Sequence, residues 1–391
     1  MLNTVTETLL MGPGPSLVSE SVRDAMARPT IGHLDPRFIA IMDEVKAMLR
    51  TAMETRNDLT IPLSGTGSAG MEASFVNFVE PGDSVLVLVN GVFGVRMREV
   101  ASRLGAKVTA LEFEWGQPVV PERVGEALAG GSYDLVAVVH AETSTGVRNP
   151  VEAIAPIVGG TDALFVVDAV TSLGGIPVTA DAWGADVVYS GTQKCLSCPP
   201  GLAPLTVSDR AHDRLRRRTS PVPNWYLDLT LLTSYWEGAK RSYHHTAPIN
   251  MIYALHQALA NLVDEGLKAA HRRHAAAHER LAAGLPGLGL SFLVDEGSRL
   301  PMLNAVTVPD GVDEASVRRR LLEEHDIEIG AGLGPLAGKI WRIGLMGHSA
   351  MPEKVLRCLD ALRWALAEQN DTRPDGTLEA MRVLENAQNA G

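Results

Sequence analysis

The chain has 391 residues, 46% of them apolar, with a formal charge of -11 and a pI near 5.5. That is enough apolar mass for a large core and two structural domains, and the acidic balance argues against nucleic acid or an anionic membrane surface as the main partner. Three cysteines are too few for a disulfide framework, no apolar run is long enough to span a bilayer, and the first ten residues lack the basic start and full apolar core of a signal peptide; a cytoplasmic soluble protein is expected.

From about residue 16 to 210, short β-branched apolar runs alternate with amphipathic stretches, the pattern of a mostly parallel sheet covered by helices. Leu59–Leu63 leads into the Gly-rich turn Ser64-Gly-Thr-Gly-Ser-Ala-Gly-Met-Glu72, which opens a helix. Strands are predicted at Ser84–Val89, Val108–Leu111, Leu135–Val139, Leu164–Val167 and Val187–Tyr189, with helices between them that include Gly94–Leu104 and Val151–Val158. The basic run Arg214, Arg216, Arg217 and Arg218 has no interleaved aromatics and reads as a solvated helix face. A long helix runs from Ile249 to about Glu265, and a helix-rich segment extends from Leu267 to about Leu285. Alternation then resumes through Asn304–Pro309, Val312–His325, Ile327–Ile329, Lys339–Ile343 and Pro352–Glu368, as in a smaller α+β domain. The resulting organisation is an arm at 1–15, a large domain at 16–265, a small domain at 266–369, and a turn-rich tail at 370–391 that leads into a short terminal helix.

Two residues carry the strongest chemical suggestion. Asp168 ends one apolar run, and Lys194 lies on the small polar turn Ser190-Gly-Thr-Gln-Lys194 that follows another. A lysine able to form a Schiff base and an aspartate able to keep a pyridine nitrogen protonated are what pyridoxal 5′-phosphate (PLP) chemistry requires. The turn at Ser64–Glu72 offers backbone N–H groups at a helix start, an anion-binding arrangement, although it lacks the Lys-Ser/Thr ending of a P-loop. Gly330-Ala-Gly-Leu-Gly334 is followed by Pro335 and opens no long helix, so it reads as a glycine turn near a ligand pocket and not as a dinucleotide fingerprint. Cys195-Leu-Ser-Cys198 has no matching zinc ligands and precedes two prolines; it reads as space-filling beside Lys194. His271, His274 and His278 fall at helical spacing among charged residues, which suggests an exposed helix face, and Cys358 falls on the apolar stripe of a helix. No metal site is expected.

Taken in order, Gly12-Pro-Gly-Pro-Ser16, Ser64-Gly-Thr-Gly67, Asn90-Gly91, Glu142-Thr-Ser-Thr-Gly146, Asp168-Ala-Val-Thr-Ser172, Ser190-Gly-Thr-Gln-Lys194, Pro199-Pro-Gly201, Trp225-Tyr-Leu-Asp228, Tyr243-His-His-Thr246 and Gly332–Gly344 resemble the alanine–glyoxylate and serine–pyruvate aminotransferases. These are class V members of the fold-type I PLP enzymes, and the resemblance covers roughly residues 10 to 365. It implies an α/β fold with a mostly parallel seven-stranded sheet between helices and a smaller C-terminal α+β domain. It implies Lys194 as Schiff-base lysine and proton carrier, and Asp168 as partner of the pyridine nitrogen. Gly67, Ser68 and Ala69 would give backbone contacts to the phosphate and Gln193 a side-chain donor. Thr143 would bond the ring hydroxyl, Val170 would pack on one ring face, and Phe93 would stack on the other. Tyr243 and Thr246 would reach the phosphate of a partner subunit, so a homodimer is implied. Arg342 would clamp the substrate carboxylate, helped by Ser172 and the backbone near Gly12.

Two departures accompany the resemblance. Phe93 stands where relatives often carry Trp, and Gly67-Ser68-Ala69 stands where many have a Gly-His-Cys turn, so weaker cofactor affinity is expected. A single carboxylate clamp suits alanine or serine as donor and glyoxylate or pyruvate as acceptor. Lys240 and Arg241 leave a dicarboxylate substrate open. Pyridoxamine–pyruvate exchange, cysteine desulfuration through a mobile-loop cysteine, and a catalytically silent scaffold remain as alternatives.

Overall fold

The computed structural model describes residues 1, 5–238 and 241–367. Lys240 and the tail from 370 onward lie outside the described residues. The central sheet has seven strands: β1 (Leu59–Ser64), β2 (Ser84–Val89), β3 (Lys107–Glu112), β4 (Leu135–Val139), β5 (Leu164–Asp168), β6 (Val187–Tyr189) and β7 (Leu202–Val207), in the order β1-β7-β6-β5-β4-β2-β3. All pairs are parallel except those made by β7, which runs antiparallel to both neighbours. Strands β2, β4, β5 and β6 are buried on both faces, which explains why they read as continuous apolar runs and not as alternation.

β7 was not among the predicted strands. Its sequence, Leu-Ala-Pro-Leu-Thr-Val, carries Pro204 in its interior, a residue that cannot donate to a ladder. Pro204 lies directly opposite Pro62 of β1, and its carbonyl turns the other way to accept from Ser190 N at 2.7 Å just past the end of β6.

Helices cover the sheet. They include α1 (Pro36–Ala52), α2 (Gly67–Val76), α3 (Val92–Arg103) and α4 (Ile249–Glu265). α1 begins with Pro36 behind the N-cap Asp35, whose side chain accepts from Arg37 N at 2.9 Å, and it packs against α4. A large apolar cluster, from Val22 to Ala270, fills the space between sheet and helices.

A second cluster is built on α5 (Leu267–Gly284), α6 (Glu314–His325), α7 (Pro352–Ala367) and a three-stranded antiparallel sheet of β8 (Leu303–Thr307), β9 (Gly330–Ala331) and β10 (Ile340–Gly344), with β10 in the middle. Leu9, Met11 and Leu17 of the N-terminal segment belong to this second cluster, and Leu9–Leu10 pairs in parallel with Ile327–Glu328. The chain start is thereby carried across to the elements that hold Arg342.

Two expectations need correction. The histidines of α5 do not form an exposed face. His274 is fully buried, with Nδ1 at 2.7 Å from Ala270 O and Nε2 accepting from Gly347 N at 2.9 Å; His278 Nδ1 is 2.6 Å from Asn304 Oδ1. Small alanines around them let the helix pack closely, so the imidazoles bond inward. The basic run is solvated only at Arg216 and Arg217: Arg214 pairs with Asp83 at 3.0 Å, and Arg218 caps the carbonyls of Asn77 and Val79.

Candidate active site

The site forms where parallel strands end, the location at which an open α/β sheet leaves room for a ligand. Asp168 is the last residue of β5, and the parallel register sets it beside Tyr189, the last of β6. Tyr189 donates its hydroxyl to Asp168 Oδ2 at 2.7 Å, and Val170 N–H donates to Oδ1 at 2.8 Å. Burial raises the Asp168 carboxyl to about 6, against the downward pull of the two donors and of Lys194 and Arg96.

Lys194 lies on the turn after β6, with its Nζ donating to Pro13 O of the N-terminal segment. Burial, and then the charge of Arg342, lower its ammonium to about 8. Gly14 must lack a side chain here, because a Cβ would fall 2.5 Å from Lys194 Nζ, and its φ of +103° is one that other residues rarely adopt. Arg342 occupies the centre of β10. Its Nε donates to Ala331 O at 2.6 Å and Nη1 to Thr143 O at 3.4 Å, which leaves Nη2 without a partner among the described residues. Burial lowers this guanidinium to about 10 while Glu142 opposes the shift.

One cavity of about 170 Å³ gathers eight of the residues singled out from the sequence: Gly67, Ser68, Phe93, Thr143, Asp168, Val170, Gln193 and Lys194. Its wall is narrow at Gly67, where a Cβ would stand 3.0 Å from Val170 Cγ2. The N–H groups of Gly67 and Ser68 open α2 with no acceptor among the described residues, an anion site at a helix start. Gln193 also lines this wall; its Oε1, an acceptor, is buried with no partner among the described residues, and only its Nε2 could donate to an anion. A planar anionic ligand with one hydrogen-bonding edge fits these groups.

The other expected residues stand apart from that wall. Ala69 N donates to Thr66 O at 2.7 Å and is not free for a ligand. Gly12 packs its carbonyl against Gly344 beside Arg342, and Ser172 keeps a buried hydroxyl with no partner among the described residues. Tyr243 is 59% exposed, with its hydroxyl 3.4 Å from Thr246 Oγ1, and neither residue touches the cavity of its own chain.

Sequence reasoning missed Arg96 and Tyr189. Arg96 lines the cavity one helical turn after Phe93, its guanidinium 5.0 Å from that ring, and the i, i+3 spacing was a usable signal. Tyr189 could be found only from strand register. Asn149, also unremarked, holds the strand ends around the site: it donates to Val139 O at 2.7 Å and Asn90 Oδ1 at 3.1 Å, and accepts from Asn90 Nδ2 at 2.8 Å and Val119 N at 2.9 Å.

Residues 18–347 match the family model described as Aminotransferase class-V. The chain belongs to the class V aminotransferase family. The alanine–glyoxylate aminotransferase of Nostoc sp., a crystal structure, superimposes on this class V aminotransferase with a TM-score of 0.91 at 49% identity, covering 93% of this chain and 96% of that one. The alanine–glyoxylate aminotransferase of Rattus norvegicus is 40% identical over 93% of this chain and 88% of its own length. The (S)-ureidoglycine–glyoxylate transaminase of Bacillus subtilis (strain 168) is 39% identical over 97% and 95%. The resemblance read from the motifs is borne out, as is the α/β fold.

Desulfuration by a mobile cysteine finds no support in this aminotransferase. All three cysteines are free and buried, and burial pushes each thiol up to about 12. Among the described residues there is no cluster of three metal-ligating side chains, and no helix long and apolar enough to cross a membrane.

Proposed function

We propose that this cavity binds pyridoxal 5′-phosphate and that the enzyme moves the amino group of alanine or serine to glyoxylate or pyruvate in two half-reactions at one site. The observation that carries the reading is a single cavity containing a buried lysine lowered to about 8, a buried carboxylate, and the uncommitted amides of a helix start. The bound cofactor supplies an electron sink conjugated with the substrate nitrogen.

The chain's own residues do the rest. Lys194 Nζ would anchor the cofactor covalently and, as a neutral amine, would accept the proton from the substrate Cα. Asp168, oriented by Tyr189 and Val170, holds negative charge against the pyridine nitrogen. The amides of Gly67 and Ser68, with Gln193 Nε2 as side-chain donor, would hold the phosphate, a smaller cradle than three amides would give because Ala69 N is committed to Thr66. Thr143 would bond the ring hydroxyl, and Phe93 and Val170, which line the cavity, would enclose the ring. Arg342, with Ser172 and the backbone at Gly12, holds the substrate carboxylate through its uncommitted Nη2 end. Small monocarboxylates suit the single Arg342 clamp, and Arg241 is committed to Asp43.

Tyr243 and Thr246, exposed on their own chain, serve the cavity of a second copy, so the working unit is a homodimer, placed in the cytoplasm. The test is spectroscopic. Wild-type protein mixed with PLP develops a visible absorption band that Lys194→Ala does not. Alanine, serine and (S)-ureidoglycine are then offered in turn, and the preferred donor bleaches the band fastest. Failure of wild type to develop the band sinks the cofactor assignment; bleaching by (S)-ureidoglycine alone sinks the donor assignment.

A further inference from the structure

Glu142 is a fully buried carboxylate that does not touch the cavity and has no part in the amino-transfer chemistry above. It lies on the short strand Ala141–Glu142 just after β4. Its Oε1 accepts from Ser144 N at 3.0 Å and Ser144 Oγ at 2.6 Å, and its Oε2 accepts from Phe93 N at 3.1 Å. Ser144 Oγ in turn accepts from Val92 N at 2.9 Å. These are the first two amides of α3, whose N-cap, Gly91, has no side chain with which to cap them. A Cβ on Gly91 would meet the Glu142 carboxylate and stand 2.5 Å from Ser144 Oγ, so the glycine makes room for a cap delivered from another element.

Keeping a carboxylate here is costly. Burial pushes Glu142 up to about 7, opposed first by the Ser144 donors, while nearby Asp168 adds to the rise. What the group gains is an anion at a helix N-terminus, with every bond directed at residues beside the cavity. Phe93 follows Val92 in the first turn of α3, and Thr143 follows Glu142 in the chain; both line the cavity.

We propose that Glu142 is a positioning residue: together with Ser144 it fixes the first turn of α3, and so fixes the Phe93 ring over the cofactor plane with Thr143 beside it. This rests on the reading that the cavity holds PLP. A glutamine of the same shape would turn an N–H towards the donor N–H groups and lose at least one of the three bonds to the carboxylate.

The experiment is a double-mutant cycle of Glu142→Gln and Phe93→Ala. Its readouts are the PLP dissociation constant of the apo protein, the visible circular dichroism of the bound chromophore, and the apo melting temperature. Glu142→Gln weakens PLP binding on the order of 10- to 100-fold, as expected for losing a hydrogen bond to a charged group, and alters the dichroism. On the Phe93→Ala background the same change costs less than about twofold, because the ring through which it acts is gone. An equal cost on both backgrounds, or an unchanged dissociation constant and dichroism, overturns the positioning role. If Glu142→Gln does not fold, Ser144→Ala, which removes the Val92 acceptor and keeps the carboxylate, enters the same cycle with the same criteria. No visible band in the wild type overturns the cofactor reading and this inference together; a normal band with an unaffected variant overturns only this inference.

Discussion

The pH dependence of cofactor capture follows directly from the burial of Lys194. A lysine must be neutral to attack an aldehyde, and burial with Arg342 nearby brings this one from 10.5 to about 8. At pH 7.4 about one amine in five is then neutral, against fewer than about one in a thousand for a freely solvated lysine, a gain on the order of 250-fold in reactive amine. The same shift has a thermodynamic side. The folded state binds fewer protons than the unfolded chain between about 8 and 10.5, so the contribution of Lys194 to stability rises as pH rises through that window and is least below about 8. The assay is stopped-flow mixing of apo protein with PLP from neutral to alkaline pH, following growth of the visible band under pseudo-first-order conditions. The rate constant climbs and levels near a midpoint of about 8. Arg342→Gln removes the second cause, moves the midpoint upward and slows capture at neutral pH. A wild-type rate still rising steeply through pH 10 would show a solvated amine and refute the reasoning.

Tyr189→Phe deletes the 2.7 Å donor to Asp168 Oδ2, so the Asp168 carboxyl rises above about 6; kcat falls by about tenfold with KM for the amino donor little changed, and a KM effect without a kcat effect in steady-state kinetics speaks against this role. Asn149→Ala strands Val119 N–H, Val139 O and Asn90 Oδ1, while Asn90 Nδ2 keeps Gln117 O at 2.9 Å; urea unfolding of the apo protein shows a loss of about 2–4 kcal/mol, and a loss below about 1 kcal/mol means that these groups find other partners. Cys195, Cys198 and Cys358 stay silent to a thiol-reactive disulfide reagent at pH 8 until the protein is unfolded; fast reaction of any one in the native state contradicts its burial.

How much of the site was legible depended on whether a residue acts through its identity or through its neighbours. Lys194, Asp168 and the glycine turn at Gly67 stand at strand ends and helix starts, positions that apolar periodicity marks directly. Arg96 was within reach, because it follows Phe93 by one turn on the same face of α3. Glu142 and Asn149 were not, because each bonds to residues far away in sequence, Phe93 in one case and Asn90 in the other. The histidines of α5 were misread for the same reason. Charged neighbours at helical spacing describe one face of a helix, but what packs against the other face is set by elements that come later in the chain.

The sequence by itself determined the class of fold. Continuous apolar runs separated by amphipathic stretches leave few architectures that bury both faces of a sheet, and the order of glycine turns, aspartate and lysine along those runs is a property of the chain alone. Only the tertiary structure decided that β7 runs antiparallel, with two prolines opposed, that Tyr189 lies beside Asp168, and that the N-terminal segment crosses to pack near Arg342. Each of these is a matter of register or of contact between distant segments. Hydrophobic periodicity fixes which face of an element is buried, and it is silent about what lies on the other side of the interface.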